Sequence, residues 1–195
     1  MAKYGKCNFD GLKDLQKKIE KFQKDEMDAF IESCAKVLAS RLLSKVIKRT
    51  PVGVKPEFDG EKSEKAMVKY EECWEGYEGG TLRRGWISKT QAEAESNRGQ
   101  GINAFEITKY AKQLPISKEG DVFVIEILNP VEYGSYVEYG HRQKIGRYVP
   151  AIGKRLKNGW APGKFMLTIS EKEIRDAAPG ILAKKIQKEM EKIFK

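Results

Sequence analysis

The sequence predicts an α+β fold in one domain over residues 1–195: a long N-terminal helix, a small and mostly antiparallel sheet, and a C-terminal helix. Three observations carry that expectation. Apolar residues recur at helical spacing near each end of the chain, segments of strand-like composition are grouped between them, and helices and strands do not alternate. With 195 residues, 40% of them hydrophobic, the chain has material for one core and little more.

The first helical stripe runs Leu12, Leu15, Ile19 and Phe22, then Met27, Phe30, Ile31, Cys34, Leu38, Leu42 and Val46. Asp10 stands where an N-cap belongs. The step from Phe22 to Met27 crosses Lys24, Asp25 and Glu26, so a kink or short break is expected there. Proline disfavours helical geometry in the residue ahead of it, so the helix has to end before Pro51. Leu38 and Leu42 are expected in the core.

Residues 54–80 carry eight acidic against four basic side chains and end in Gly79-Gly80. They read as an inserted excursion, partly helical around Glu64 to Trp74. Leu82 to Ser88, Ile102 to Thr108 and Asp121 to Leu128 read as strands, the last being the clearest, with Val122, Val124, Ile125 and Ile127 between Gly120 and Asn129-Pro130. Val131 to Gly140 is rich in tyrosine. Residues 142–164, rich in glycine and lysine, read as a mobile basic loop. Near the C-terminus Ser170 and Glu173 have capping-box spacing, and Ile181, Leu182, Ile186, Met190 and Ile193 share one helical face. Pro179 either opens that helix or kinks a longer one starting near Phe165.

One third of the residues are charged and the net charge is +9, which favours an acidic partner. No apolar run is long enough to span a membrane, and the chain is expected to be soluble, not secreted and not membrane-bound. Cys7, Cys34 and Cys73 lie far apart, and a single histidine is available to complete a metal site, so free thiols are expected and neither metal nor cofactor. Serine-hydrolase, phosphate-loop, zinc-protease and calcium-loop motifs are missing, and the Gly99–Gly101 pair lacks a dinucleotide-binding context. His141 has no evident orienting carboxylate or nucleophile, so a structural or interface role is expected and no enzymatic one.

Three segments have a physical reading of their own. Thr50-Pro51 stops a helix and Gly79-Gly80 supplies turn geometry. Trp86 is a core or interface anchor. The tyrosines from Tyr133 to Tyr139 either form a wet subunit contact or cover an edge of the sheet.

Together, Lys48-Arg49-Thr50-Pro51-Val52-Gly53, Gly80-Thr81-Leu82-Arg83-Arg84-Gly85-Trp86 and Tyr136-Val137-Glu138-Tyr139-Gly140-His141-Arg142 resemble one family. This is the family of small neck or tail-component proteins of long-tailed phages, typified by gene product ten of a lambda-like phage, and the likeness runs in order from about Phe9 to Phe194. Members pass almost directly from Thr-Pro-Val to the Leu-Arg turn, whereas here residues 54–80 intervene. The resemblance implies a non-enzymatic virion protein, present in the host cytoplasm before assembly. It implies a ring of six or twelve copies between the capsid connector and the tail tube, touching connector and tail proteins, with genomic DNA at most as passing cargo. The expected assembly interface comprises Trp86, Tyr136, Glu138, Tyr139, His141, Arg142, Lys144 and Arg147. The competing expectation is a nucleic-acid-binding protein. No acidic residue lies between Tyr139 and Ser170, and Lys154, Arg155, Lys157 and Lys164 are candidate phosphate contacts beside Tyr148, Trp160 and Phe165.

Overall fold

The computed structural model describes residues 10–21, 26–58, 63–96 and 101–194. Two helices open it, α1 over Asp10–Lys21 and α2 over Met27–Arg49. The kink or break expected between Phe22 and Met27 lies, apart from Glu26, outside the described residues. Asp10 is itself the first residue of α1 and not the residue ahead of it. At the other end of α2, Thr50 turns extended (ψ 121°) under the constraint of Pro51, while its N–H still donates to the Val46 carbonyl at 2.8 Å.

The buried face of α2 is Cys34, Ala39, Leu43, Val46 and Ile47. Cys34 and Val46 belong to the stripe the spacing selected, but Leu38 and Leu42 are only half-buried, and Ala39 and Leu43, one residue on, take their places in the core. The cause is tertiary: two later helices, in the middle and at the end of the chain, both pack on α2.

The excursion does contain a helix, α3, over Glu64–Trp74. Two of the expected strands are helices. Leu82 to Ser88 holds α4 (Thr81–Gly85), where Leu82 and Trp86, four residues apart, enter one core. After α5 (Gln91–Ser96), Ile102 to Thr108 holds the first half of α6 (Ala104–Gln113). A capping box starts α6: Asn103 Oδ1 accepts from Glu106 N–H at 2.9 Å, and Glu106 Oε2 accepts from Asn103 N–H at 3.1 Å. Ile107 and Ala111, again four apart, are its buried face.

The region read as the clearest strand is paired only over β2 (Val122–Val124), which meets β1 (Ser117–Glu119) across Gly120 at φ 63°. Helix α7 follows at Gly134–Tyr139. The segment expected as a mobile basic loop is a long antiparallel ribbon. At its base β3 (Gly140–Arg142) pairs with β6 (Trp160–Pro162), and further out β4 (Tyr148–Val149) pairs with β5 (Lys154–Arg155) around a 3-10 turn at Pro150–Ile152. Each strand group is thus a separate two-stranded antiparallel ladder. Glycine-rich composition hid the ribbon, because its pairing is made by backbone groups such as Gln143 N–H to Gly159 O and Gly146 N–H to Leu156 O, both 2.9 Å.

Helix α8 runs unbroken from Met166 to Phe194 with Pro179 inside it, the second of the two readings of that proline. Met166, Ser170 and Ile174 are its buried positions, whereas Ile186 and Met190 are exposed. Ser170 caps nothing: its hydroxyl donates to Met166 O at 2.6 Å and accepts from Arg49 Nη1 at 2.6 Å. Glu173 joins the same clasp, bonded to Lys45 at 2.6 Å and Arg49 at 2.7 Å, and the Lys45 bond first, then Arg49, holds its carboxyl below the ordinary glutamate range. The core closes where Leu43, Val46 and Ile47 of α2 meet Leu82, Trp86, Ile107, Val131 and Met166.

Candidate functional site

The first two sequence motifs meet each other. Thr50 stops α2 and its hydroxyl donates to Val46 O at 2.7 Å while accepting from the Trp86 indole N–H at 2.8 Å. Arg83 adds two donors, Nε and Nη2, to Thr50 O at 3.1 and 2.6 Å. Arg84 is buried and tied to Ala94 O, Gly79 O and Thr81 Oγ1. Gly80 takes φ 77°, and a Cβ there would stand 2.9 Å from the Arg84 guanidinium. Trp86 is therefore a core anchor, 4% exposed with its one donor satisfied, and it leaves the expected interface.

The third motif builds the root of the ribbon. Glu138 is buried and its carboxylate accepts from the N–H groups of Leu167 and Thr168, both at 2.9 Å, and from Thr168 Oγ1 at 2.8 Å. It caps the first turn of α8 from a different element, at the end where a negative charge is favoured. Gly140 and Gly163 let two backbones touch: a Cβ on Gly140 would lie 2.4 Å from Ala161 O, and one on Gly163 2.3 Å from Glu138 O. Glu138 is accordingly a second residue withdrawn from the interface, because its carboxylate is spent inside the protomer.

Tyr136 and Tyr139 are exposed, Tyr139 at 61%. His141 is half-buried with its ring edge-on to Tyr136 at 5.8 Å; its Nε2 lies 3.4 Å from Gln143 Nε2 and its Nδ1 has no hydrogen-bond partner. With Glu138 turned to α8, the one carboxylate beside it in sequence does not orient the ring, and no base-and-nucleophile pair forms at His141. Arg142, Lys144 and Arg147 lie exposed along the ribbon, as do Lys154, Arg155, Lys157 and Lys164. The structure thus gathers both the interface cations and the phosphate-contact cations on one element. Ile145 (66% exposed) and Trp160, cross-strand partner of Arg142, add apolar surface among them.

The tip of the ribbon rests on the excursion. Trp74 of α3 donates its indole N–H to Ala151 O at 2.8 Å, and the Phe58 ring lies where a Cβ on Gly153 would be, 2.6 Å away. Only the aromatic residues of the excursion hint at this pairing in the sequence. Gly163 and Thr168 were also missed, since their roles depend on the approach of α7 to α8.

Among the described residues no group of three or more histidine, cysteine, aspartate or glutamate side chains is placed to hold a metal ion. No described helix is long and apolar enough to cross a membrane. Cys34 is buried, which pushes its thiol up from the ordinary value, and Cys73 is exposed; both are free, and Cys7 lies outside the described residues.

No curated protein and no solved structure matches the chain. A protein-family model described as "Bacteriophage HK97-gp10, putative tail-component" matches residues 13–140, about two thirds of the chain. The matched span takes in the helix-stop, Leu-Arg-Arg-Gly-Trp and Val-Glu-Tyr-Gly motifs whose contacts build the core and the root of the ribbon, and it ends as the ribbon begins. The chain belongs to the HK97-gp10-like family of phage tail components, proteins of the virion.

Proposed function

We propose that the protein is a structural subunit of the phage neck that assembles as a ring between the capsid connector and the tail tube. It performs no bond chemistry. The observation that carries this reading is the ribbon, a projection fixed at root and tip that exposes seven cations together with Ile145 and Trp160 and lies beside exposed Tyr136 and Tyr139. Aromatic and apolar area rimmed by charge is the composition of a protein interface. Tyr136, Tyr139, His141, Arg142, Lys144 and Arg147 are the assembly residues in this reading. A closed ring needs two different patches per subunit, repeated until the rotation closes, and six or twelve copies suit a connector. The subunit waits in the host cytoplasm before assembly, and genomic DNA only passes through.

The test is the mass of the purified full chain, alone and with its connector and tail proteins, by light scattering and electron microscopy. Rings are expected, and Tyr139→Ala with Trp160→Ala should reduce them. A wild-type protein that stays monomeric with every neighbour would refute the reading.

The same seven exposed cations favour a second reading, phosphate binding through Lys154, Arg155, Lys157 and Lys164. If all seven met duplex phosphates, the log–log salt slope of affinity would be about −6, from roughly 0.9 per neutralised phosphate. A salt series with duplex DNA decides: tight binding at physiological salt with that slope supports nucleic acid, and weak binding supports the ring.

A further inference from the structure

A groove runs along α2 and α8, away from the ribbon. Val37, Gly180 and Ile181 contribute apolar surface to it, while Arg41, Lys184 and Lys188 line it against one carboxylate, Glu191. Lys36 and Lys112 line an adjoining depression towards α6. Phosphate tracking asks little of apolar surface. Apolar groove walls among cations suit an amphipathic helix with acidic flanks.

The chain carries such a helix. On α3, Glu64, Met67, Val68, Glu71 and Glu72 fall on one face at spacings of three, four, seven and eight, and the C-cap residue Glu75 continues it. Met67 and Val68 stand 50% and 52% exposed among the four glutamates, of which Glu71 already pairs with Lys55. On the other side of α3 Tyr70 is buried against Phe58, and Trp74, at the edge of the acidic face, is bonded to the ribbon tip. This acid-flanked face is therefore turned away from its own core. Within its own copy α3 packs on the ribbon tip at Pro150–Ile152, and it makes no extensive contact with α2 or α8, the walls of the groove.

We propose that the exposed face of α3 docks in the α2–α8 groove of the next copy. Met67 and Val68 lie on the apolar surface of the groove, and Glu64, Glu72 and Glu75 face Arg41, Lys184 and Lys188. The inference rests on the ring reading and adds the two patches that close it. Two different, complementary patches on each copy make the contact heterologous, as a ring requires.

The test uses two charge reversals on the full chain, Glu64→Lys with Glu72→Lys, and Lys184→Glu with Lys188→Glu, all at exposed positions. Light scattering should show wild type assembled and each variant alone reduced to monomer. An equimolar mixture of the two variants should reassemble in even-numbered species, since reversed and native contacts then alternate. Should a variant fail to fold, Met67→Cys with Lys184→Cys in a Cys73→Ser background, joined by a short bismaleimide, should give a covalent ladder. Variants that assemble like wild type, or a missing ladder from an assembled protein, would overturn the docking while leaving the ring reading intact. A wild type that stays monomeric with every neighbour, and a ladder missing there too, would end both. Loss of duplex-DNA binding by the lysine reversal, with assembly unchanged, would reassign the groove to nucleic acid and overturn the proposal.

Discussion

Glu138 shows how a residue's role can be set by an element that its neighbours in sequence do not reveal. In the tyrosine-rich run it reads as an exposed carboxylate at a subunit contact, yet it is buried and accepts three hydrogen bonds from Leu167 and Thr168. Removing it strands two backbone donors at the start of α8. Glu138→Ala should destabilise the fold by about 2–3 kcal/mol, within the range for bonds to charged groups, as measured by chemical denaturation. A change under about 0.5 kcal/mol would mean that water replaces the cap without loss. Trp86 was legible as an anchor, and burial beside Thr50 resolves core against interface. The Thr50 and Trp86 motifs were visible singly; their contact was not, because 35 residues of chain lie between them.

At the level of elements, the helical ends of the chain were legible and the middle was not. Short helices such as α4 and α6 contain too few turns for their period to stand out from alternation, and Ile102 to Thr108 satisfies both templates. The Asn103 and Glu106 capping box was the available signal that favours helix. On α2 the period was right and Cys34 and Val46 were placed correctly, but Ala39 and Leu43 are buried where Leu38 and Leu42 were expected, since neighbouring apolar residues offer more than one stripe. That placement is testable. Leu43 is fully buried, so Leu43→Ala should cost roughly 2–5 kcal/mol, whereas Leu38→Ala and Leu42→Ala, at half-buried positions, should each cost less. Equal losses at all three sites would restore the stripe read from spacing.

For the whole molecule, the family and the α+β class were within reach of the sequence, because the three motifs keep their order along the chain. The relation between the insertion and the basic segment was out of reach: opposite net charges hinted at attraction, but the contact that forms is an indole bond and a phenyl ring over glycine at the ribbon tip. A consequence is that residues 142–164 are structured before any partner arrives. Trypsin acting on the isolated protein should cut slowly at Arg142, Lys144, Arg147, Lys154, Arg155 and Lys157, and Trp74→Ala should open those sites; rapid cleavage of the wild type would return the segment to a mobile loop. Mechanically, the ribbon is a span resting on two piers and not a cantilever. Gly140, Gly163 and Glu138 clamp one end and α3 carries the other, so a sideways push on its middle is shared between the α8 side and the inserted helix. Such a strut deflects far less than a free hairpin of the same length, and its bearing surface keeps its position under load.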